Sequence, residues 1–74
     1  MVLDSVVFFC ADRYGCDPEE ITLAATVDEL NLTRDDLAEL SILLEEQFGV
    51  LIPDDVINGV EILEDLVGYI EDRL

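Results

Sequence analysis

Hydrophobic residues recur at helical spacing in three stretches of the chain, with polar segments between them. Residues at i, i+3, i+4 and i+7 share one face of an α-helix, so this spacing predicts amphipathic helices. We expect long helices over residues 4–14, 33–48 and 61–74, a single turn beginning at Pro18, and a short helix over residues 54–58. A long loop, residues 22–31, precedes the second long helix. The pattern therefore predicts an all-α protein.

Polar residues at the expected helix ends support these boundaries. Thr33 followed by Asp36 resembles a capping box, in which a hydroxyl and a carboxylate accept hydrogen bonds from free backbone N–H groups. Gly49 suits the left-handed turn that ends many helices. Asp4 and Ser5 are the expected caps of the first helix.

The same spacing predicts which side chains are buried. On the first helix we expect a core stripe of Leu3, Val6, Cys10 and Tyr14, with Phe9 beside it. On the second helix the apolar face consists of Leu37, Leu40, Leu44 and Phe48. On the last helix it consists of Ile62, Leu63, Leu66, Val67, Ile70 and Leu74. The expected anchors of the long loop are Leu23, Ala24, Val27 and Leu30.

Val7 and Phe8 fall on the outer face of the first helix. Two interpretations are open. The two side chains form an exposed apolar patch for a partner or for self-association, or they lie under the loop that follows.

Charge narrows the choice of partners. The 74 residues, enough for one domain, contain nineteen acidic side chains and three arginines, for a net charge of −16, and no lysine or histidine. Such a chain is expected to be repelled by nucleic acid and by anionic membranes, and to be attracted to basic protein surfaces. The 51% hydrophobic content favours a packed core over disorder.

The sequence also indicates where the protein is located. No basic residue precedes Arg13 and no apolar run is long enough to span a bilayer, so we expect a cytoplasmic protein.

The two cysteines, Cys10 and Cys16, have neither redox-motif nor zinc-site spacing, and we expect reduced, partly buried thiols. A disulfide across the end of the first helix is the alternative.

Catalysis is not expected. Without histidine or lysine, and with no cysteine beside a base, a nucleophile has no activating partner. The pairs Asp35-Asp36 and Asp54-Asp55 lack the spacing of a calcium-binding EF-hand loop. We therefore expect no enzyme activity and no metal site.

Four segments together resemble acyl carrier proteins, the four-helix domains that carry phosphopantetheine. They cover most of the chain and comprise Tyr14-Gly15-Cys16 with Glu19-Glu20-Ile21, Glu39-Leu40 with Leu44-Glu45-Glu46-Gln47-Phe48, Ile52-Pro53-Asp54, and Val60, Leu63 and Tyr69-Ile70. The resemblance implies a four-helix bundle of three long helices and one short helix, with a long loop between helices one and two.

The resemblance fails at the residue that carries the prosthetic arm. The family's Asp-Ser-Leu motif falls on Thr33-Arg34-Asp35, so the serine position is Arg34. A guanidinium has no hydroxyl to form a phosphodiester, and no 4'-phosphopantetheine cofactor is therefore expected. The alternative is a working carrier modified at another hydroxyl, that of Thr33, Ser5 or Ser41. For Ser41, near the core face, we expect a hydrogen bond to a backbone carbonyl.

The resemblance also implies a partner-binding face. In the family, acidic residues of the second helix dock on basic patches of synthases, transferases and the enzyme that attaches the arm. The matching positions here are Asp36, Glu39, Glu45 and Glu46, and Ile42 matches an exposed apolar contact. A merely solvated acidic face is the alternative. A working carrier would sheathe an acyl chain between Leu40, Leu44, Ile57 and Leu66.

Overall fold

Four α-helices form the architecture of the computed structural model, which describes residues 2–74. They are α1 (Val2–Tyr14), α2 (Arg34–Phe48), α3 (Asp54–Asn58) and α4 (Leu63–Glu71), with a 3₁₀ turn at Pro18–Glu20. Residues 2–74 form no strand; a single antiparallel bridge pairs Thr26 with Ile62. The predicted all-α, four-helix fold with three long helices, one short helix and a long loop after the first is confirmed. None of these helices is long and apolar enough to cross a membrane.

The start of α2 has the capping geometry that the sequence predicts. Thr33 Oγ1 accepts a hydrogen bond from Asp36 N at 3.1 Å, and Asp36 Oδ2 accepts one from Thr33 N at 3.0 Å. Gly49 ends the helix with a φ of 71°, in the left-handed region that glycine adopts without strain. These contacts place Arg34 in the opening turn of α2.

Helix α1 begins at Val2, earlier than predicted, so the capping roles assigned to Asp4 and Ser5 are wrong. Val2 is buried in the core, and this burial favours two further helical residues. Ser5 lies inside the helix, where its Oγ accepts a hydrogen bond from Gln47 Nε2 of α2 at 2.8 Å. The contact ties α1 to the last turn of α2.

One hydrophobic core joins the helices. Its fully buried members include the predicted residues Val6, Cys10, Leu40, Leu44, Leu63, Leu66 and Ile70. Leu3, Tyr14 and Phe48 are only half-buried at its margin.

The loop between α1 and α2 is anchored by different residues from those predicted. Leu23 and Ala24 are exposed, whereas Ala25 and Leu32 are buried. Backbone hydrogen bonds explain the register: Leu63 N donates to the carbonyl of Ala25, and Glu64 N to that of Leu23. These contacts with the start of α4 turn Ala25 inward. Val27 and Leu30 are half-buried, so they contribute partly to anchoring the loop, as predicted.

Helix α4 is shorter than predicted at both ends. Ile62 is extended and half-buried, because its backbone pairs with Thr26 and its N–H donates to Asp65 Oδ2 at 3.2 Å. Leu74 is 69% exposed, so its assignment to the buried stripe is wrong. The helix ends at Glu71, before Leu74 could reach the core.

Candidate partner-binding site

The outer face of α2 presents acidic side chains around one exposed apolar residue. Successive helical residues are rotated by about 100°, which places Glu39, Ile42 and Glu46 within about 60° of one another. Both glutamates are exposed, and Ile42 is 55% exposed. A basic surface carrying an apolar contact would complement this arrangement.

Two further predicted carboxylates, those of Asp36 and Glu45, lie at the edges of this face and are half-buried. Asp36 closes the capping box with Thr33. Glu45 Oε2 accepts a hydrogen bond of 2.7 Å from Ile52 N, which fixes the extended segment before α3. These two side chains therefore stabilise the fold, whether or not their other oxygen atoms also contact a partner.

Glu39 combines an exposed position with an internal contact. Tyr14 Oη donates to Glu39 Oε1 at 2.7 Å and also lies 3.1 Å from the Asp36 carbonyl oxygen. Burial, together with this bond to Glu39, raises the pKa of the Tyr14 phenol well above its usual value. The neutral phenol thus links the end of α1 to the acidic face of α2.

Arg34 is exposed at the first position of α2, and its side chain is directed to the end of α3. Nη1 donates to Asn58 Oδ1 at 2.8 Å. Beside this contact lies a cavity of about 580 Å³ whose apolar lining includes Leu32, Leu37 and Val60. The guanidinium, tethered at the rim, offers no hydroxyl for esterification.

The three hydroxyls considered as alternative attachment points have different surroundings. Thr33 Oγ1 is occupied in the capping box, and Ser5 Oγ is bonded to Gln47. Ser41 is buried, and its Oγ has no hydrogen-bond partner within the described residues. The predicted bond from Ser41 to a backbone carbonyl is therefore wrong.

The two cysteines are free thiols, as expected. Cys10 is buried and Cys16 half-buried. Burial raises the pKa of Cys10 to about 12 and also raises that of Cys16. Both thiols are accordingly protonated near neutral pH, when they are poor nucleophiles.

Phe8 of the predicted apolar patch is 63% exposed, whereas Val7 is half-buried. The Phe8 ring packs edge-on against Phe9, with 5.7 Å between ring centroids. Phe8 and Val7 line an open groove together with Ala11 and Pro18. The alternative prediction, that the loop covers them, is wrong for Phe8.

Sequence reasoning missed a second exposed apolar side chain beside α2. Leu51 is 78% exposed and lines a groove together with Ile42. The extended backbone before Pro53 could have predicted this exposure, because successive side chains of an extended segment point to opposite sides. Val50 and Ile52 are buried, and Leu51 between them points outward.

Comparison with known proteins identifies the family, although no family model matches the chain. An acyl carrier protein of Thermosynechococcus vestitus is 32% identical over 74 residues, which is 99% of this chain and 91% of that relative. One from Clostridium acetobutylicum is 35% identical over 96% of this chain and 94% of its own length. One from Phenylobacterium zucineum is 34% identical, with 99% and 94% covered. Given near full-length similarity and the four-helix bundle, the chain belongs to the acyl carrier protein family.

Proposed function

We propose that this protein is a member of the acyl carrier family that acts by docking, without a phosphopantetheine arm. It would bind basic surfaces of acyl-carrier-dependent biosynthetic enzymes through the outer face of α2. In this proposal Glu39, Ile42 and Glu46 make the central contacts, and Asp36 and Glu45 flank them. It has no catalytic role of its own.

The observation that carries the proposal is the position of Arg34. Arg34 is the first residue of α2 and its guanidinium bonds to Asn58; by the resemblance, this is the position at which the family attaches its phosphopantetheine. The residues present do not fit a phosphopantetheinyl group, because the neighbouring Thr33 hydroxyl already serves as the helix cap. The acidic face, by contrast, keeps exposed charge around Ile42.

Charge reversal at the centre of the face tests the docking role. We expect Glu46→Lys to weaken binding to a purified acyl-carrier-dependent synthase at least about tenfold, because it places like charges together at the interface. Glu71→Lys is the matched control, since it makes the same charge change at another exposed helical position. Surface plasmon resonance at two salt concentrations would measure both. Equal weakening by the two variants would show a non-specific charge effect and contradict the proposal.

A working carrier is the principal alternative. Its arm would sit on Thr33, Ser5 or Ser41, and its acyl chain would lie among Leu40, Leu44, Ile57 and Leu66, all of them buried. Modification at Thr33 or Ser5 would sacrifice a hydrogen bond that each hydroxyl now makes. Modification at Ser41 would require the core to open. Intact-mass measurement after incubation with a phosphopantetheinyl transferase and coenzyme A separates this alternative from the docking role.

Self-association through Val7 and Phe8 is a second candidate, favoured by the 63% exposure of Phe8. Two copies, each with a net charge of −16, would repel each other at low salt. Sedimentation of the wild type and of Phe8→Asp at physiological salt tests it. A monomeric mass for both would remove this candidate, whereas a dimer abolished by the substitution would support it.

A further inference from the structure

We propose that the groove between α2 and the segment leading into α3 receives an aromatic side chain with a polar tip, such as tyrosine, from the docked partner. The inference rests on the proposed docking role and names the anchor that this role would use. It depends on two observations: an exposed apolar rim, and the buried Ser41 hydroxyl, which has no hydrogen-bond partner in the part of the chain that the structure describes.

The groove encloses about 400 Å³ beside the acidic face of α2. Its lining is mostly apolar: Ala38, Ile42, Leu51, Ile52, Pro53 and Ile57. Ile42 and Leu51 are 55% and 78% exposed, so each leaves apolar surface in water that an inserted ring would cover. Exposed side chains also change rotamer rapidly, and these two can therefore move aside for a ring.

Ser41 also lines the groove and is the feature that selects a polar tip. The residue is 1% exposed, and its Oγ makes no hydrogen bond within the described residues. A buried hydroxyl without a partner loses its hydration without compensation. An occupant with a hydroxyl or N–H group at the right depth would restore the missing hydrogen bond.

The chemistry of the groove excludes other anchors. A hydrocarbon chain would fill the apolar space but leave Ser41 unbonded. Serine and threonine carry too little apolar surface to cover the exposed parts of Ile42 and Leu51. Glu45 and Asp54 also line the groove and would attract lysine or arginine to its rim, but a charged tip buried as deeply as Ser41, which is 1% exposed, is costly. Tyrosine and tryptophan have an apolar ring with one polar group, and they are common anchors at protein interfaces.

The charges around the groove indicate that the anchor comes from a basic protein. Glu45 and Asp54 also line the groove, in a chain with a net charge of −16. A second copy of this chain is a poor source, because two such copies repel each other. The tyrosines of the chain are also engaged: Tyr14 bonds Glu39, and the Arg73 guanidinium lies 3.5 Å from the ring centroid of Tyr69.

Two small probes that differ by one hydroxyl test the proposal without knowledge of the partner. Toluene and p-cresol would be titrated into isotope-labelled wild type and Ser41→Ala, with amide shifts followed by NMR. For the wild type we expect p-cresol to bind roughly two- to tenfold more tightly than toluene, the contribution of one hydrogen bond. The shifts should map to Ser41, Ile42, Leu51 and their neighbours. Ser41→Ala should abolish the preference and leave toluene binding as tight or tighter.

A variant at the rim of the groove serves as the control for probe binding. Leu51→Asp, at an exposed position, should weaken both probes while the amide spectrum stays folded. The inference would be overturned if the wild type bound both probes equally or if the preference for p-cresol survived in Ser41→Ala. It would also be overturned if the amide shifts were confined to the groove lined by Val7 and Phe8 on α1. None of these results would affect the Glu46→Lys test, so failure of the anchor and failure of the docking role are distinguishable.

Discussion

The edges and the centre of the acidic face of α2 carry the same charge but have different surroundings. At the edges, Asp36 and Glu45 are half-buried and accept hydrogen bonds from backbone N–H groups. At the centre, Glu46 is exposed beside Ile42. The comparison separates carboxylates that stabilise the fold from one that is available to a partner. A count of acidic residues could not make that distinction.

The largest expected effect on stability is at the Glu45 edge. Glu45→Ala leaves the partly buried Ile52 N–H without its acceptor, and we expect a loss of about 1–3 kcal/mol in the free energy of unfolding. Glu46→Ala should stay within about 0.5 kcal/mol of the wild type, as is usual for exposed positions. Urea unfolding of the two variants measures the contrast. Equal losses would remove the distinction between edge and centre.

A smaller effect is expected at the other edge. Asp36→Ala breaks half of the capping box, which we expect to lower the free energy of unfolding by about 1 kcal/mol. Asp35→Ala removes the same charge from the same turn but no capping bond, so its effect should be limited to the interaction with the helix dipole, about 0.3–1 kcal/mol. Thermal unfolding at low and high salt separates the capping bond from the dipole interaction, because salt strongly screens only the dipole interaction. A salt-independent loss at Asp35 would contradict this assignment.

Glu39 is intermediate between edge and centre, and a pH series tests the burial and hydrogen bonding of the Tyr14 phenol, to which Glu39 contributes. The raised pKa of Tyr14 means that the fold favours the neutral phenol. Its contribution to stability is therefore complete below pH 10 and is lost as pH rises through the higher folded-state value. Unfolding measured from pH 8 to 11 should show a shallower decline for Tyr14→Phe than for the wild type. The two cysteines, whose pKa values are also raised, titrate in both proteins, so the difference between the two declines reports Tyr14 and its coupling to Cys10. Parallel declines would mean that neither the burial of the Tyr14 phenol nor its bond to Glu39 favours the neutral form in the fold.

Local sequence signals predicted α2 correctly because its boundaries depend on neighbouring residues. The cap formed by Thr33 and Asp36 and the left-handed Gly49 need no distant contact. The errors arose where distant segments decide the conformation. The start of α4 is set by the pairing of Ile62 with Thr26, and the same pairing turns Ala25 inward in place of Ala24. No local pattern encodes that register.

The candidate site was predictable in outline but not in its internal contacts. Helical periodicity alone places Glu39, Ile42 and Glu46 on one face. The bonds of Glu45 to Ile52 and of Tyr14 to Glu39 depend on how segments distant in sequence pack together. That Ser41 Oγ has no hydrogen-bond partner among residues 2–74 is equally a tertiary property, since a helical serine often bonds a local carbonyl.

Intact-mass spectrometry after incubation with a phosphopantetheinyl transferase and coenzyme A shows whether any residue of this protein accepts a phosphopantetheinyl group. A triple variant, Thr33→Asp, Arg34→Ser and Asp35→Leu, introduces an Asp-Ser-Leu sequence at the positions that the resemblance indicates and serves as the positive control. We expect the wild type to keep its original mass and the triple variant to gain the mass of one phosphopantetheinyl group. A phosphopantetheinyl group on any residue of the wild type would contradict this expectation.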